Sequence, residues 1–198
     1  MKKMNESLLS EKEIKRRKYN LIRYSNSSII HKKIKSNVKQ ALQLLLKKNN
    51  YEEKYIGIYW PLKGEVDIRF IREINNQKVA LPSSSKIKGI NYHPWSKNQL
   101  ELDSNRIPAP VEESNLSPKD ISILLVPAIA IDEEGYRLGY GGGYFDRLRQ
   151  KDLWFSIPSF VVISNNCISK EPLPRDEWDL PFNGWISEKG LHQIEATK

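Results

Sequence analysis

The sequence predicts a single α/β domain of three layers (α/β/α), in which helices cover both faces of a mostly parallel sheet and a basic helical segment stands at the N-terminus. Short apolar segments alternate along the chain with segments of helical periodicity. The most apolar segment, ISILLVPAIAI at residues 121–131, is rich in β-branched residues and predicts a strand buried on both faces. A length of 198 residues suits one such domain, residues 1–198, with residues 1–9 expected to be a frayed N-terminus.

Two helices are predicted in the N-terminal quarter. SEKE at residues 10–13 is a capping box, which starts a helix that runs to about Tyr24 with a narrow apolar side. Ser27 or Ser28 can cap a second, longer helix with an apolar stripe at helical spacing. The apolar positions are Ile14, Leu21 and Ile22 in the first helix and Ile30, Ile34, Val38, Leu42 and Leu45 in the second.

The remaining elements alternate between strands and helices. Asp67 is predicted to open a helix to about Asn75, and a short helix is predicted from about Tyr144 to Lys151. Residues 104–120, rich in Pro, Ser and Asn, are predicted to be a loop. The other predicted strands are YIGIYW (55–60), KVALP (78–82), INYHPW (90–95), SFVVIS (159–164) and GWIS (184–187).

The positive charge is concentrated at the N-terminus. The formal net charge is +8, but residues 1–54 hold fifteen Lys and Arg against five Asp and Glu, and the rest of the chain is close to neutral. A basic segment on a neutral body suggests an anionic partner such as a nucleotide, a nucleic acid or a polyanionic metabolite. A solvated lysine face on two surface helices is the alternative.

Composition excludes several classes. One cysteine, Cys167, can form neither an internal disulfide nor a structural zinc site, and we expect it to be a small buried residue. No apolar run approaches the ~18 residues that span a bilayer, and the N-terminal segment is polar and basic. We therefore expect a cytoplasmic protein.

The segment RLGYGGGYFDR at residues 137–147 is the main candidate for chemistry. Four glycines within residues 139–143 follow the buried strand and precede a helix, where bare backbone N–H groups can bind an anion. Neither the P-loop pattern nor G-x-G-x-x-G fits. Arg137 favours phosphate binding over a purely structural turn, since a guanidinium can bind two phosphate oxygens. Asp146 either complements the helix dipole or holds Mg²⁺.

The segment ISILLVPAIAIDEEGYRLGYGGGYFDR closely resembles the motif of 5-formyltetrahydrofolate cyclo-ligases, in which VPxxAxD precedes G-x-R-L-G-x-G-x-G-Y-Y-D-R. KEIKRRKYNLIR resembles the N-terminal helix of that family, K-x-x-x-R-[KR]-x-x-x-x-x-R, with Lys12, Arg16, Arg17 and Arg23 in register. YWPLKGEVD and LPRDEWDLPFNGWISEKG resemble two further segments, so the resemblance covers about residues 10–190.

The resemblance implies a three-layer α/β enzyme that uses ATP and Mg²⁺ to close 5-formyltetrahydrofolate into 5,10-methenyltetrahydrofolate, releasing ADP and phosphate. It further implies that ATP phosphorylates the formyl oxygen, after which N10 of the folate attacks the carbon and phosphate leaves. Such phosphoryl transfer depends on positioning and charge neutralisation more than on an acid or base.

The same resemblance implies roles for individual residues. Arg137 and Asp146 would be catalytic, and Asp146 and Asp179 would coordinate Mg²⁺. The folate would contact Trp60, Glu65, Tyr140, Gly141, Gly142, Gly143 and Tyr144, with Glu65 accepting hydrogen bonds from the pterin and Tyr144 offering an aromatic face. ATP would contact Lys12, Arg16, Arg137, Leu138, Gly139, Tyr140, Gly141, Gly142, Gly143, Tyr144 and Phe145.

Three positions depart from the family motifs. Trp178 stands where the family has a histidine before Asp179, Phe145 replaces the second tyrosine, and Ala109 replaces a glutamate. These departures leave open a same-fold enzyme that acts on another small metabolite. Trp95 is predicted to pack in the core rather than face the pteridine.

A nucleic-acid-binding role for the basic helices is the alternative of a different class. The sequence carries no aromatic-basic RNA-binding pattern, so nucleic acid is not the expected partner. We expect a monomer whose ligands are ATP and 5-formyltetrahydrofolate, the folate in cells carrying a polyglutamate tail.

Overall fold

The computed structural model describes residues 10–49, 53–74, 77–85, 89–96 and 99–195, so the expectation for residues 1–9 lies outside the described residues. The helices are α1 (Glu11–Tyr24), α2 (Ser28–Asn49), α3 (Tyr144–Arg149) and α4 (Asp152–Phe155), with 3₁₀ helices at Arg69–Glu73, Pro118–Asp120 and Asn165–Cys167. The strands are β1 (Tyr55–Gly57), β2 (Lys78–Ser85), β3 (Gly89–Pro94), β4 (Glu101–Leu102), β5 (Pro108–Ala109), β6 (Ile121–Pro127), β7 (Ala130–Asp132), β8 (Arg137–Leu138), β9 (Ser159–Val162), β10 (Ile168–Ser169), β11 (Gly184–Ser187) and β12 (Gly190–Gln193).

The central sheet has seven strands in the order β12-β11-β9-β6-β1-β2-β3. The pairs from β11 through to β2 are parallel, whereas β3 and β12 pair antiparallel at the two edges. The predicted mostly parallel sheet is therefore confirmed. Strand β6 lies in the middle, and every one of its residues is buried, as its apolar sequence predicts.

Successive residues of β6 enter two separate cores, one on each face of the sheet. Ile123 and Leu125 join the core under α2, while Leu124 and Val126 join the core that α1, α3 and α4 cover. The predicted α/β/α layering is confirmed by these two cores.

The two N-terminal helices form as predicted, but α1 packs by a different face. Ser10 caps α1 with both bonds of the capping box, and the stripe of α2 from Ile34 to Leu45 is buried. In α1, however, Ile14 and Leu21 are exposed, while Tyr19 and Arg23 are buried. Ile22 packs against the core as predicted, but the prediction was wrong for Ile14 and Leu21, because the contacts of Arg23 with distant polar groups, described below, turn another side of this helix inward.

Several predicted elements are shorter than the sequence suggests. Instead of a helix from Asp67 to Asn75, the described residues contain one 3₁₀ helix, Arg69–Glu73. Residues 121–131 form two strands, because the chain leaves the sheet after Pro127 and Ala130 pairs with Leu138 in a separate hairpin. The helix predicted to end at Lys151 ends at Arg149, and α4 follows it. No helix in the described ranges is long and apolar enough to cross a membrane.

Candidate active site

A pocket of about 280 Å³ opens at the carboxyl edge of the central sheet. Its walls come from the segment after β1, the carboxyl half of β2, the last residue of β6 and the glycine loop, residues 139–143. The lining residues are Tyr59, Trp60, Leu62, Glu65, Pro82, Ser84, Ile90, Asp103, Asn105, Ile107, Pro127, Arg137, Gly139, Tyr140, Gly142, Gly143, Tyr144 and Phe145. The pocket thus brings together most of the predicted substrate and nucleotide residues.

The glycine loop is attached directly to the end of β6. Arg137 donates from Nη1 to the carbonyl of Pro127, at 3.1 Å. Gly141 and Gly143 have φ of 99° and 60°, a left-handed conformation that other residues adopt at a cost. Within the described part of the chain, no backbone N–H of residues 139–143 donates to a backbone carbonyl. The loop therefore offers several consecutive donors of the kind that bind phosphate.

Arg137 and Asp146 form an ion pair behind this loop. Nη2 of Arg137 donates to both carboxylate oxygens of Asp146, at 3.0 and 3.2 Å. The Arg137 side chain is 5% exposed, and its guanidinium stacks on the ring of Phe145, 5.0 Å from its centroid. The sequence suggested that these two charges flank the loop, but the structure joins them to each other.

Glu65 presents a buried carboxylate to the pocket. One oxygen accepts a hydrogen bond from the hydroxyl of Tyr140, and the other accepts from the backbone N–H of Leu62, at 2.7 Å. Arg23 donates to the same Tyr140 hydroxyl, and its Nη1 lies 3.8 Å from the carboxylate. Burial raises the pKa of Glu65, and the hydrogen bonds and nearby guanidinium groups oppose that rise.

Aromatic side chains form the remaining walls of the pocket. Trp60 lines the pocket and contacts Trp95 edge to face, with ring centroids 6.0 Å apart. Trp95 is half-buried and does not line this pocket, which agrees with its predicted packing role. The Tyr144 hydroxyl donates to Asn105, at 3.2 Å, across the mouth.

The other predicted residues lie beside the pocket, on the side of α1. Arg16 donates from Nε to the carbonyl of Gly139, at 2.8 Å, and its guanidinium lies against Gly141. Lys12 makes ion pairs with Asp176 at 2.6 Å and with Asp179 at 2.9 Å. Leu138 is buried, so only its backbone can contact a ligand. Of the two predicted cations on α1, Arg16 therefore borders the glycine loop, whereas Lys12 binds the segment that carries Asp176 and Asp179.

The acidic residues suit a metal ion that arrives with a nucleotide better than a resident one. Among the described residues, no group of three or more His, Cys, Asp and Glu side chains is placed to hold a metal. Nucleotide-bound Mg²⁺ needs only one or two protein carboxylates, because phosphate oxygens and waters complete its octahedron. Both predicted metal ligands are engaged here: Asp146, a fifth exposed beside the glycine loop, accepts from Arg137, and Asp179 accepts from Lys12 and from the backbone N–H of Asp176.

Of the three positions that depart from the family motifs, Phe145 lines the pocket, whereas Ala109 and Trp178 do not. Ala109 is fully buried in β5, opposite Glu101 of β4, and Trp178 is 56% exposed on the segment that carries Asp179. Phe145 keeps the ring that stacks on Arg137. Cys167 is buried, as predicted.

Sequence reasoning missed two groups of residues at the site. Asp103 and Asn105 line the pocket from the segment between β4 and β5, whose composition indicates only a loop. Arg23 was in register with the N-terminal motif but received no role. Its position in that motif was the one signal that could have identified it.

Comparison with known proteins identifies the family of this chain. The pattern that describes the 5-formyltetrahydrofolate cyclo-ligase family matches residues 6–187. A 5-formyltetrahydrofolate cyclo-ligase of Escherichia coli (strain K12) is 31% identical over 141 residues, 64% of this chain and 74% of that protein. One of Haemophilus influenzae is 27% identical over 170 residues, 77% of this chain and 83% of that protein.

Two solved structures share the fold. The NMR structure of Aquifex aeolicus 5,10-methenyltetrahydrofolate synthetase superposes with a TM-score of 0.73 and 29% identity, covering 96% of this chain and 95% of that one. The Mycoplasma pneumoniae 5,10-methenyltetrahydrofolate synthetase, at 23% identity and a TM-score of 0.69, bears on the fold alone; it covers 90% of this chain and 99% of that one. The chain belongs to the 5-formyltetrahydrofolate cyclo-ligase family, a family of ligases.

Proposed function

We propose that this chain closes 5-formyltetrahydrofolate into 5,10-methenyltetrahydrofolate at the expense of ATP, with Mg²⁺, and releases ADP and phosphate. The observation that carries the proposal is the shared wall of the pocket. The glycine loop lines the same cavity as the buried carboxylate of Glu65 and the ring of Trp60. A phosphate on the loop would therefore lie beside a ring system held by Glu65.

Glu65 is suited to hold the pteridine. A buried carboxylate that is partnered on both oxygens keeps its orientation, and each oxygen retains capacity to accept from ring N–H groups. Trp60 and Tyr144 supply flat apolar surfaces on which a bicyclic ring can stack. Activation of the formyl oxygen by ATP would require the formyl-bearing edge of the ring to face the glycine loop.

The triphosphate side of the proposal rests on the glycine loop and α1. The backbone N–H groups of residues 139–143 are available donors, and Arg16 already lies against the loop. Lys12 would bring a second cation once a phosphate competes with Asp176 and Asp179 for its ammonium group. Asp146 would hold Mg²⁺, and Mg²⁺, when bound, neutralises charge on the phosphate oxygens.

The chain contributes positioning rather than acid–base chemistry. The formyl oxygen attacks the γ-phosphorus of ATP, the bond to the β,γ-bridging oxygen breaks and ADP leaves. N10 of the folate then bonds to the activated carbon, the carbon–oxygen bond breaks, and phosphate leaves with the proton that N10 gives up. One cavity would hold the reacting groups next to each other. Such positioning is the main source of rate acceleration in a phosphoryl transfer of this kind.

The test is an absorbance assay for the methenyl product with 5-formyltetrahydrofolate, ATP and Mg²⁺. We expect an increase that needs all three and is lost in Asp146→Ala and Arg137→Ala. Asp152→Ala removes an exposed carboxylate from the neighbouring helix and serves as the matched control, with activity kept. A flat trace from the folded wild-type protein would overturn the proposal.

The alternative, a same-fold enzyme for another small metabolite, predicts a different pattern of ligand stabilisation. Thermal protection by ATP without protection by 5-formyltetrahydrofolate would favour it. Ala109 and Trp178, the departures that left it open, do not line the pocket. A cytoplasmic location, a monomeric state and a polyglutamylated substrate stay expectations.

A further inference from the structure

Arg23 is a buried guanidinium that the proposed reaction does not use. It is 5% exposed on α1, and its Nε has no hydrogen-bond partner among the described residues. Its Nη1 donates to the hydroxyl of Tyr140, and Nη2 donates to the carbonyl of Lys63, at 3.2 Å. Burying an arginine costs free energy unless neighbouring groups compensate its charge, so the groups around Arg23 indicate what it does.

The guanidinium of Arg23 joins three segments that build the pocket. It extends from α1, bonds to residue 63 in the segment that carries Trp60 and Glu65, and bonds to Tyr140 in the glycine loop. Gly64 fits this junction closely, because a Cβ there would lie 2.7 Å from the ring of Tyr24 and 3.3 Å from Nε of Arg23. The junction therefore fixes the segment that carries Trp60 and Glu65 relative to the glycine loop.

Tyr140 completes the junction in a way that the family motif does not require. Position 140 is the variable residue in L-G-x-G, so the motif specifies no hydroxyl there. In this chain that hydroxyl accepts from Arg23 and donates to Glu65. The ring of Tyr140 also stacks on the guanidinium, 5.1 Å from its centroid.

We propose that Arg23 is a positioning residue that acts through Tyr140 to hold Glu65 in a fixed orientation as an acceptor for the pteridine and to hold the glycine loop beside it. The inference rests on the proposed function, because the pteridine contact of Glu65 is part of that proposal. Arg23 itself does not line the pocket and touches no reacting atom.

The electrostatics of Glu65 agree with this role. Four charged or titratable groups face its carboxylate: the guanidinium groups of Arg23 and Arg137 and the hydroxyls of Tyr59 and Tyr140. Burial raises the pKa of Glu65, while Tyr140, Arg23 and Arg137 act to lower it. Without Arg23 the carboxyl group would stay protonated to a higher pH, and protonation turns one acceptor oxygen of Glu65 into a hydroxyl donor.

The test compares Arg23→Gln and Tyr140→Phe with Arg17→Gln, which removes an exposed arginine from the same helix. For both site variants we expect KM for 5-formyltetrahydrofolate to rise about 10- to 100-fold, the range for a lost hydrogen bond to a charged group, with KM for ATP much less changed. The low-pH limb of the pH profile of kcat/KM should move to higher pH in both site variants, since Arg23 and Tyr140 both act to lower the pKa of Glu65. Arg23→Lys, which keeps the charge, should restore that limb in part.

A double-mutant cycle with Glu65→Gln separates positioning from general support of the fold. If Arg23 acts through Glu65, Arg23→Gln should change KM for the folate by less than about threefold in a Glu65→Gln background. Additive losses, or an unshifted pH limb in Tyr140→Phe and Arg23→Gln, would overturn the inference while wild-type turnover stands. A wild-type protein that makes no methenyl product would overturn the proposed function, and this inference with it.

Discussion

Replacing Asp146 with alanine would leave the guanidinium of Arg137 without its partner. The Arg137 side chain is 5% exposed and that of Asp146 is 21% exposed, so the pair is largely shielded from water. Breaking a buried ion pair by removing one partner costs about 3 to 5 kcal/mol. Arg137 keeps its bond to the carbonyl of Pro127 and its stacking on Phe145 and Phe182, and water can reach part of the vacated space. These contacts reduce the expected loss to about 2 kcal/mol.

For a chain of this size, a loss of about 2 kcal/mol lowers the melting temperature by about 4 to 8 °C. Differential scanning calorimetry of the wild-type protein and Asp146→Ala measures this shift directly. Asp152→Ala, the control used above, should melt within about 1 °C of the wild type, since its carboxylate is exposed. An Asp146→Ala protein that melts with the wild type would refute the reasoning, because Arg137 would then need no charged partner.

Three further outcomes follow from the structure. Arg149 is buried and donates to the carbonyls of Leu180 and Pro181, at 3.1 and 2.8 Å. Arg149→Met should therefore lower the free energy of unfolding, measured in urea, by about 2 to 3 kcal/mol. An unchanged urea midpoint would contradict this prediction. A Cβ on Gly184 would overlap the carbonyl oxygen of His192, whereas one on Gly190 meets nothing within 4 Å. Since both have positive φ, Gly184→Ala should be clearly the less stable of the two by thermal unfolding, and equal stability would argue against the steric cause. Cys167 is buried, and burial raises the pKa of its thiol. An aromatic disulfide that releases a coloured thiolate should therefore label Cys167 only after denaturation. Rapid labelling of the native protein would contradict the burial of Cys167.

Local patterns predicted much of the fold. The capping box at Ser10, the stripe of α2 and the uniformly apolar β6 each express a rule that operates over a few residues. Periodicity could not predict that residues 128 and 129, although apolar, separate two strands, because pairing of β7 with β8 depends on the turn that follows.

The sequence predicted which residues form the site, but it did not predict which of them bond to one another. The glycine loop, Arg137, Asp146 and Glu65 could be selected from motifs, yet the links between them join distant positions. Tyr140 bonds to Glu65 across 75 positions, and Lys12 bonds to Asp179 across 167. The inward side of α1 was mispredicted for the same reason, since the burial of Arg23 depends on those long-range partners.

The central claim is that the formyl oxygen is transferred to phosphate within one pocket. The most direct measurement uses 5-formyltetrahydrofolate that carries ¹⁸O in the formyl group and determines the mass of the inorganic phosphate released during turnover with ATP and Mg²⁺. We expect one ¹⁸O atom in each phosphate released. Unlabelled phosphate, with the label found in water, would contradict phosphoryl transfer to the formyl oxygen and the shared pocket that supports it.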